Sequence, residues 1–297
     1  MSTFTRIIVD IDSRAAHHPA LDRGIAIARG TGAQLTVVDV AAPDEIAGVL
    51  PSVEEELVAM LRERLAGIAA SITGLQADAK LLLGTPAAAL IDEVKRSETD
   101  LLIRAHARDL SAVHPPRYGP VDRELVRRCP AALLLVGPGA RPPHPRIAGA
   151  IAPADGRPEI AALNHKVIDY TLLMAAIEDG DPVVVQAWTP FGEGRLRSHG
   201  VTEEISAYAQ QQREETIASL VEAVGRARSR REEIAIAAPR GRAVEVLPHY
   251  VVSNGIDLMV IGVAEKRGLA KLVLGNTAER VLRTLTCSVL AVKPDPH

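Results

Sequence analysis

The chain has 297 residues, of which 47% are hydrophobic and 24% charged, enough to form one large or two ordinary domains with a full core. Aromatics make up only 2% and the formal net charge is −3, which argues against a nucleic-acid binder that stacks bases on a basic surface. No apolar run reaches the roughly 20 residues that span a bilayer, the opening MSTFTRIIVDID lacks the apolar stretch of a signal peptide, and two cysteines, Cys129 and Cys287, form no disulfide framework, so a cytoplasmic protein is expected.

In chain order, the first apolar run is RIIVDI at 6–11, continuous and β-branched, as a strand buried on both faces should be. A helix is expected from His18 to Arg29, a strand at 34–40, a long helix within 53–72, a strand at 78–83, a helix from Ala87 to Ser97 and a strand at 100–105. A helix over 121–128 and a strand at 131–136 complete the first half. The second half repeats the order, with strands at 147–152, 182–187, 232–237, 257–262 and 288–292 and its longest helix at 203–228. Strands alternating with helices predict parallel sheets with right-handed crossovers.

Positions pair between the halves: Asp12 with Asp155, Gly84 with Gly241, and Asp100 with Asp257. A repeat this long is a duplicated domain. The linker GPGARPPHP, at 137–145, can continue neither strand nor helix, so domains are expected at 1–141 and 142–297.

The most informative stretch is DLMVIGVAEKRGLAKLVLGNTAERVLRTLTCSVLAVKP, at 257–294. It reads as strand, glycine-bearing loop, helix and strand. Gly262 ends the strand, and Gly275, Asn276 and Thr277 open the helix, where unpaired N–H groups suit phosphate. Asn276 or Thr277 could cap the helix, with Glu279 close enough to take part. The plainer reading of the same residues is a well-capped helix after a loop.

These residues resemble the universal stress protein family. Its nucleotide-binding members carry a Gly, two residues, a Gly, nine residues, then a Gly followed by a small polar residue, and here Gly262 and Gly275 hold the first and third places. Tandem members end this loop in Leu-Gly-Asn-Thr-Ala-Glu, present as Leu274 to Glu279. They carry a degenerate first-half loop before Arg-Lys-Cys-Pro, here Gly119 to Asp122 and then Arg127 to Pro130. The resemblance implies two α/β domains, each a five-stranded parallel sheet with helices on both faces, flavodoxin-like in layering and of the adenine nucleotide alpha hydrolase-like type. It also implies that the halves pair through their last strands as a pseudo-dimer, with further association into a homodimer. The family's Pro-x-Asp near the base corresponds to Pro153 and Asp155, and the end of the second strand to Val40 and Ala187. The implied ligand is ATP or another nucleotide, or another small anion. It is held in the second half by Pro153, Asp155, Ala187, Ile261, Gly262, Val263, Gly268, Gly275, Asn276 and Thr277.

The sequence departs from that pattern at Glu265, where the family has its second glycine; Lys266 and Arg267 could offset the carboxylate, and Gly268 could restore flexibility. The first-half loop at 104–122 has no glycine before Gly119 and carries Pro115-Pro116, so this half is expected to have lost phosphate binding. The nine histidines show no metal spacing, the cysteines lack a matching His and acid, and no G-x-S-x-G elbow occurs. Trp188, Thr189, Pro190 and Phe191 read either as a pocket wall or as a clasp for the following loop, and Arg242 as a helix-start residue that could reach an anion. A non-catalytic stress-response binding protein is the expected function. The alternatives are a slow ATPase or self-phosphorylating protein, for which Glu265 and Asp155 are the candidate groups, and a structural module with vestigial pockets.

Overall fold

A computed structural model describes residues 3–42, 51–105, 119–137, 142–190, 203–227, 234–263 and 276–294. The first half runs β1 (Arg6–Asp10), α1 (Pro19–Thr31), β2 (Gln34–Ala41), α2 (Pro51–Ala70), β3 (Ala77–Leu83), α3 (Pro86–Arg96), β4 (Leu101–Ala105), α4 (Pro120–Arg128) and β5 (Ala132–Val136). The second half runs β6 (Arg146–Ala150), α5 (Pro158–Glu178), β7 (Asp181–Val185), α6 (Glu203–Ala227), β8 (Ala235–Ala237), α7 (Ala243–Ser253), β9 (Ile256–Gly262), α8 (Asn276–Leu282) and β10 (Ser288–Val292). Proline stands at the first helical position of α1, α3, α4 and α5, where its missing N–H would be unpaired in any case.

The ten strands form one sheet in the order β3-β2-β1-β4-β5-β10-β9-β6-β7-β8. Pairing is parallel within each half, and each half has the strand order 3-2-1-4-5. The doubly wound layering is the one expected from the family, and this order is that of the first five strands of the classic 3-2-1-4-5-6 sheet, whereas flavodoxin has 2-1-3-4-5. The halves meet where β5 and β10 pair antiparallel, with Leu134 opposite Leu290. Both last strands are thereby satisfied by each other, so association of two chains would need another surface.

Two apolar cores fill the two faces of the sheet, and each runs through both halves. One packs Ile27 of α1, Leu65 of α2, Val167 and Met174 of α5 and Leu220 of α6. The other packs Leu90 of α3, Leu125 of α4, Leu247 of α7 and Val281 of α8. The 21-residue α5 is long and apolar enough by length and composition to cross a membrane, although its sequence is not a continuous apolar run. Here it is a core helix, with half of its most apolar stretch buried.

The duplication is visible in matched hydrogen bonds. Asp100 accepts from Arg6 N and Asp257 accepts from Arg146 N, while Gly84 and Gly241 share a positive φ, +134° and +137°. One expected pair does not match. Ile11 N donates to Val38 O and Ile151 N to Val185 O, so Ala152, not Asp155, stands in the register place of Asp12. The two loops are nearly the same length, residues 11–18 and 151–157, so the aspartates lie at different depths in them: Asp12 two residues beyond its strand, Asp155 five.

α1 and α5 pack against each other across the junction. A Cβ on Gly30 would lie 2.8 Å from Ile177 Cγ1, so this approach needs glycine. Phe4 stacks on Tyr170 at 4.8 Å between centroids. Beside them Arg23 of α1 forms a two-pronged pair with Glu178 of α5, Nε and Nη2 each 2.9 Å from a carboxylate oxygen. Both side chains are buried, at 7% and 0% exposure. Arg23 Nη1 also donates to Ser288 Oγ of β10, which accepts from Gly137 N after β5. Removing one member of a buried pair leaves an uncompensated charge. Glu178→Ala should therefore lower unfolding stability by about 3–5 kcal/mol, while Arg23→Met with Glu178→Leu should restore most of it; urea unfolding of the three chains measures both.

Candidate functional site

In a sheet of this kind ligands bind beyond the carboxyl ends of the strands, at the point where the order reverses. In the second half that point lies between β6 and β9. Ile261 and Val263 are core residues, 6% and 0% exposed, and Val263 N continues the sheet by donating to Val292 O. Gly262 lies under α5, where a Cβ would meet Leu163 Cγ at 2.8 Å, so its small size is already required by helix packing. Gly268 and Gly275, together with Glu265, Lys266 and Arg267, lie outside the described residues, and Asn276 begins α8.

The loop after β6 is held by its own side chains. Asn164 of α5 clamps Ala152, donating to its carbonyl at 2.7 Å and accepting from its N–H at 3.1 Å. Arg157 binds the carbonyls of Pro153 and Ala154 at 3.0 and 3.2 Å. Asp155 adopts a left-handed φ of +47°, points 72% of its side chain to solvent and pairs with Arg157 at 3.4 Å. Pro153 and Asp155 thus form an exposed turn, and Asp155 is not buried at the strand end.

Ala187 follows β7, and the chain beyond it is stitched to the turn after β8. Trp188 Nε1 donates to Ala238 O at 2.8 Å, Trp188 N to Pro239 O at 3.2 Å, and Gly241 N to Trp188 O at 2.8 Å. Arg240 lies over the indole, 5.8 Å from its centroid. Trp188 is therefore a clasp, of the two readings its sequence allowed, although it holds the β8–α7 turn; Phe191 lies outside the described residues.

Glu279 of α8 pairs with the other half. Both of its carboxylate oxygens accept from Arg127 Nη2 of α4, at 2.8 and 2.9 Å, which ties the halves together on the face opposite α1 and α5. Lys293, buried in the second half, reaches the carbonyl of Val126 at the end of α4. Thr277 is exposed and lines a small cleft of about 120 Å³ with Arg242, Ala243, Val244 and Arg280. Arg242 keeps 64% of its side chain exposed and meets Glu245 at 3.3 Å. Sequence reasoning gave Arg242 a minor place and passed over Arg280; what links them is the packing of α7 on α8, which spacing alone does not reveal.

The matching end of the first half holds a different set of groups. Asp10, Asp12 and Asp39 line a cleft of about 390 Å³ with Arg14, His17, His18 and Arg104. Arg104 contacts Asp10 and lies 3.3 Å from Asp122, which in turn accepts from Gly119 N at the start of α4. Among the described residues no three His, Cys, Asp or Glu side chains gather as a metal site. Burial pushes the Asp10 carboxyl up to about 6; Arg104 opposes this and neighbouring Asp39 adds to it. Burial likewise raises the thiols of Cys129 and Cys287, to about 11 and 12, far from the thiolate a nucleophile needs.

The family model described as "Universal stress protein family" matches residues 3–137 and again 153–293. The chain belongs to the universal stress protein family, as a tandem of two such domains. It is similar to Universal stress protein E of Salmonella typhi, 24% identical over 311 residues that cover 100% of this chain and 96% of the relative. Universal stress protein E of Escherichia coli K12 is also 24% identical, with the same coverage. Among solved structures, a putative universal stress protein from Pseudomonas aeruginosa UCBPP-PA14 superposes with a TM-score of 0.70 at 22% identity, covering 98% of this chain and 94% of that one. A universal stress protein from Archaeoglobus fulgidus DSM 4304 gives 0.61 at 12% identity, with 97% and 98% coverage.

The raised pKa of Asp10 has a testable sign. Between about pH 4 and 6 the folded chain holds a proton on Asp10 that the unfolded chain has released, so this group's contribution falls as pH rises through that window. Asp10→Asn, which mimics the neutral carboxyl, should gain stability relative to the parent from pH 4 to pH 8, by up to about 3 kcal/mol. Denaturant melts of both chains across that range measure the difference.

Proposed function

We propose that this chain is a non-catalytic binding and regulatory protein of the stress response, and that its second half, residues 142–297, holds ATP, another nucleotide or a related phosphate-bearing ligand. The observation that carries this reading is the convergence of Arg242, Arg280 and Thr277 on one cleft between α7 and α8. Two exposed guanidiniums and a hydroxyl are donors suited to phosphate oxygens. Among the described residues Arg242 pairs with Glu245, itself 60% exposed, so its charge remains available to a ligand. The glycine-loop residues Gly262, Gly268, Gly275 and Asn276 supply the rest of the proposed site, with Ala187, Pro153 and Asp155 on the base side. Because Asp155 sits in an exposed turn, base recognition here depends on backbone groups of the 152–155 loop more than on a buried carboxylate.

The groups that converge are recognition groups. None of them is a base at neutral pH that could orient a water for phosphoryl transfer. The expected behaviour is reversible binding without turnover. Titration calorimetry with ATP tests it. The parent chain should bind saturably, and Arg280→Ala and Arg242→Ala should each weaken binding about tenfold or more, the loss expected for one charge-assisted hydrogen bond. An unchanged affinity in both variants, or no binding by the parent, would overturn this reading. Mass spectrometry of what co-purifies with the parent chain identifies the natural ligand.

A further inference from the structure

The first-half cleft carries chemistry that a phosphate site would not use. Its walls come from the carboxyl ends of β1, β2 and β4, the segment leading into α1, and Pro86. Of its three carboxylates, two are matched by cations. Asp10 meets Arg104, and Asp12 accepts from both the backbone N and Nε of Arg14 at 2.9 Å. Arg104 is further shared with Asp122 behind it.

Asp39 is different. It is 7% exposed and accepts one hydrogen bond, from Ser13 N to Oδ2 at 2.9 Å. Among the described residues no cation pairs with it, and its Oδ1 has no hydrogen-bond partner. A carboxylate more than nine-tenths buried needs a counter-charge or a full set of donors, because removing it from water without them is strongly unfavourable. Asp39 supplies neither from its own surroundings, yet it forms part of the wall of an open cleft. Its second oxygen is not among the fully buried atoms without partners and so is open to the cleft, where a cation can pair with it.

We propose that the first-half cleft binds a small organic cation, whose ammonium or guanidinium group pairs with Asp39. Asp10 and Asp12 flank the position and disfavour an anion there, which sets this half apart from the phosphate-seeking second half. A volume of about 390 Å³ accommodates a short diamine or an aminoalkyl guanidine. Pro19 and Pro86 offer apolar surface to its methylene chain. The proposal stands on first-half residues alone, so it survives or fails independently of nucleotide binding by the second half.

The test is calorimetric titration of the full chain with two probes, putrescine for the ammonium and agmatine for the guanidinium, against AMP and sodium chloride at matched ionic strength. At least one probe should bind saturably, and the one that binds tighter names the head group. Asp39→Asn keeps an acceptor for Ser13 N and removes the charge, so it should weaken binding about tenfold or more. Ala15→Trp changes an exposed position on the cleft wall and should block binding with the carboxylates intact. If Asp39→Asn does not fold, Ala15→Trp decides alone. Absence of saturable binding by both probes would overturn the proposal, as would full affinity in either folded variant.

Discussion

The antiparallel meeting of β5 and β10 is the constraint on which the rest of this molecule depends. Each half alone would leave its last strand, AALLLV or SVLAV, as an apolar edge with unpaired backbone groups. Pairing the two edges removes both and fuses two five-stranded sheets into one of ten. It also brings together equivalent helices, α1 beside α5 on one face and α4 beside α8 on the other. In a symmetric dimer every contact across such a junction occurs twice. A tandem chain can differentiate its sides, and here it places arginine on α1 and glutamate on α5 as one buried pair, with Gly30 and Ile177 packed beside it. A pair of this kind adds little net stability over apolar packing, but it penalises any other register strongly.

The same freedom separates the two ligand ends. In the first half Asp10, Arg104 and Asp122 form a closed charged network at the strand ends, and Asp39 is left facing a cleft. In the second half Ala150 and Ala152 occupy the register places of Asp10 and Asp12, so the strand end carries no acid, and the charge moves to arginines on α7 and α8. The scaffold is repeated while the electrostatics invert. The two ends remain physically connected: Asp122 begins α4, Arg127 near its other end grips Glu279 of α8, and Thr277 and Arg280 lie within one turn of that glutamate.

Several residues singled out by motif turn out to serve packing. Gly262 fits a phosphate-loop pattern, but Leu163 of α5 already excludes a side chain there. Glu279 fits a capping pattern, and Arg127 from the other half claims it. Trp188 fits a pocket wall, and its indole N–H is used on the carbonyl of Ala238. In each case the motif describes neighbours along the chain, whereas the side chain answers to a neighbour brought in by the fold.

The sequence by itself determined the number, order and type of the elements, because strands buried on both faces write continuous apolar runs and the intervening helices write a 3.6-residue period. It also determined the duplication, through Gly84 with Gly241 and Asp100 with Asp257, since those positions carry backbone geometry or strand-end caps that few other residues satisfy. Only the tertiary structure decided that Ala152 replaces Asp12, because equivalent places in two loops are fixed by strand register and not by residue type. It alone decided that Arg23 meets Glu178, that Arg280 joins Arg242, and that no cation among the described residues pairs with Asp39. Those are relations between residues far apart in the chain, and their energies depend on distance and burial, which a sequence does not contain.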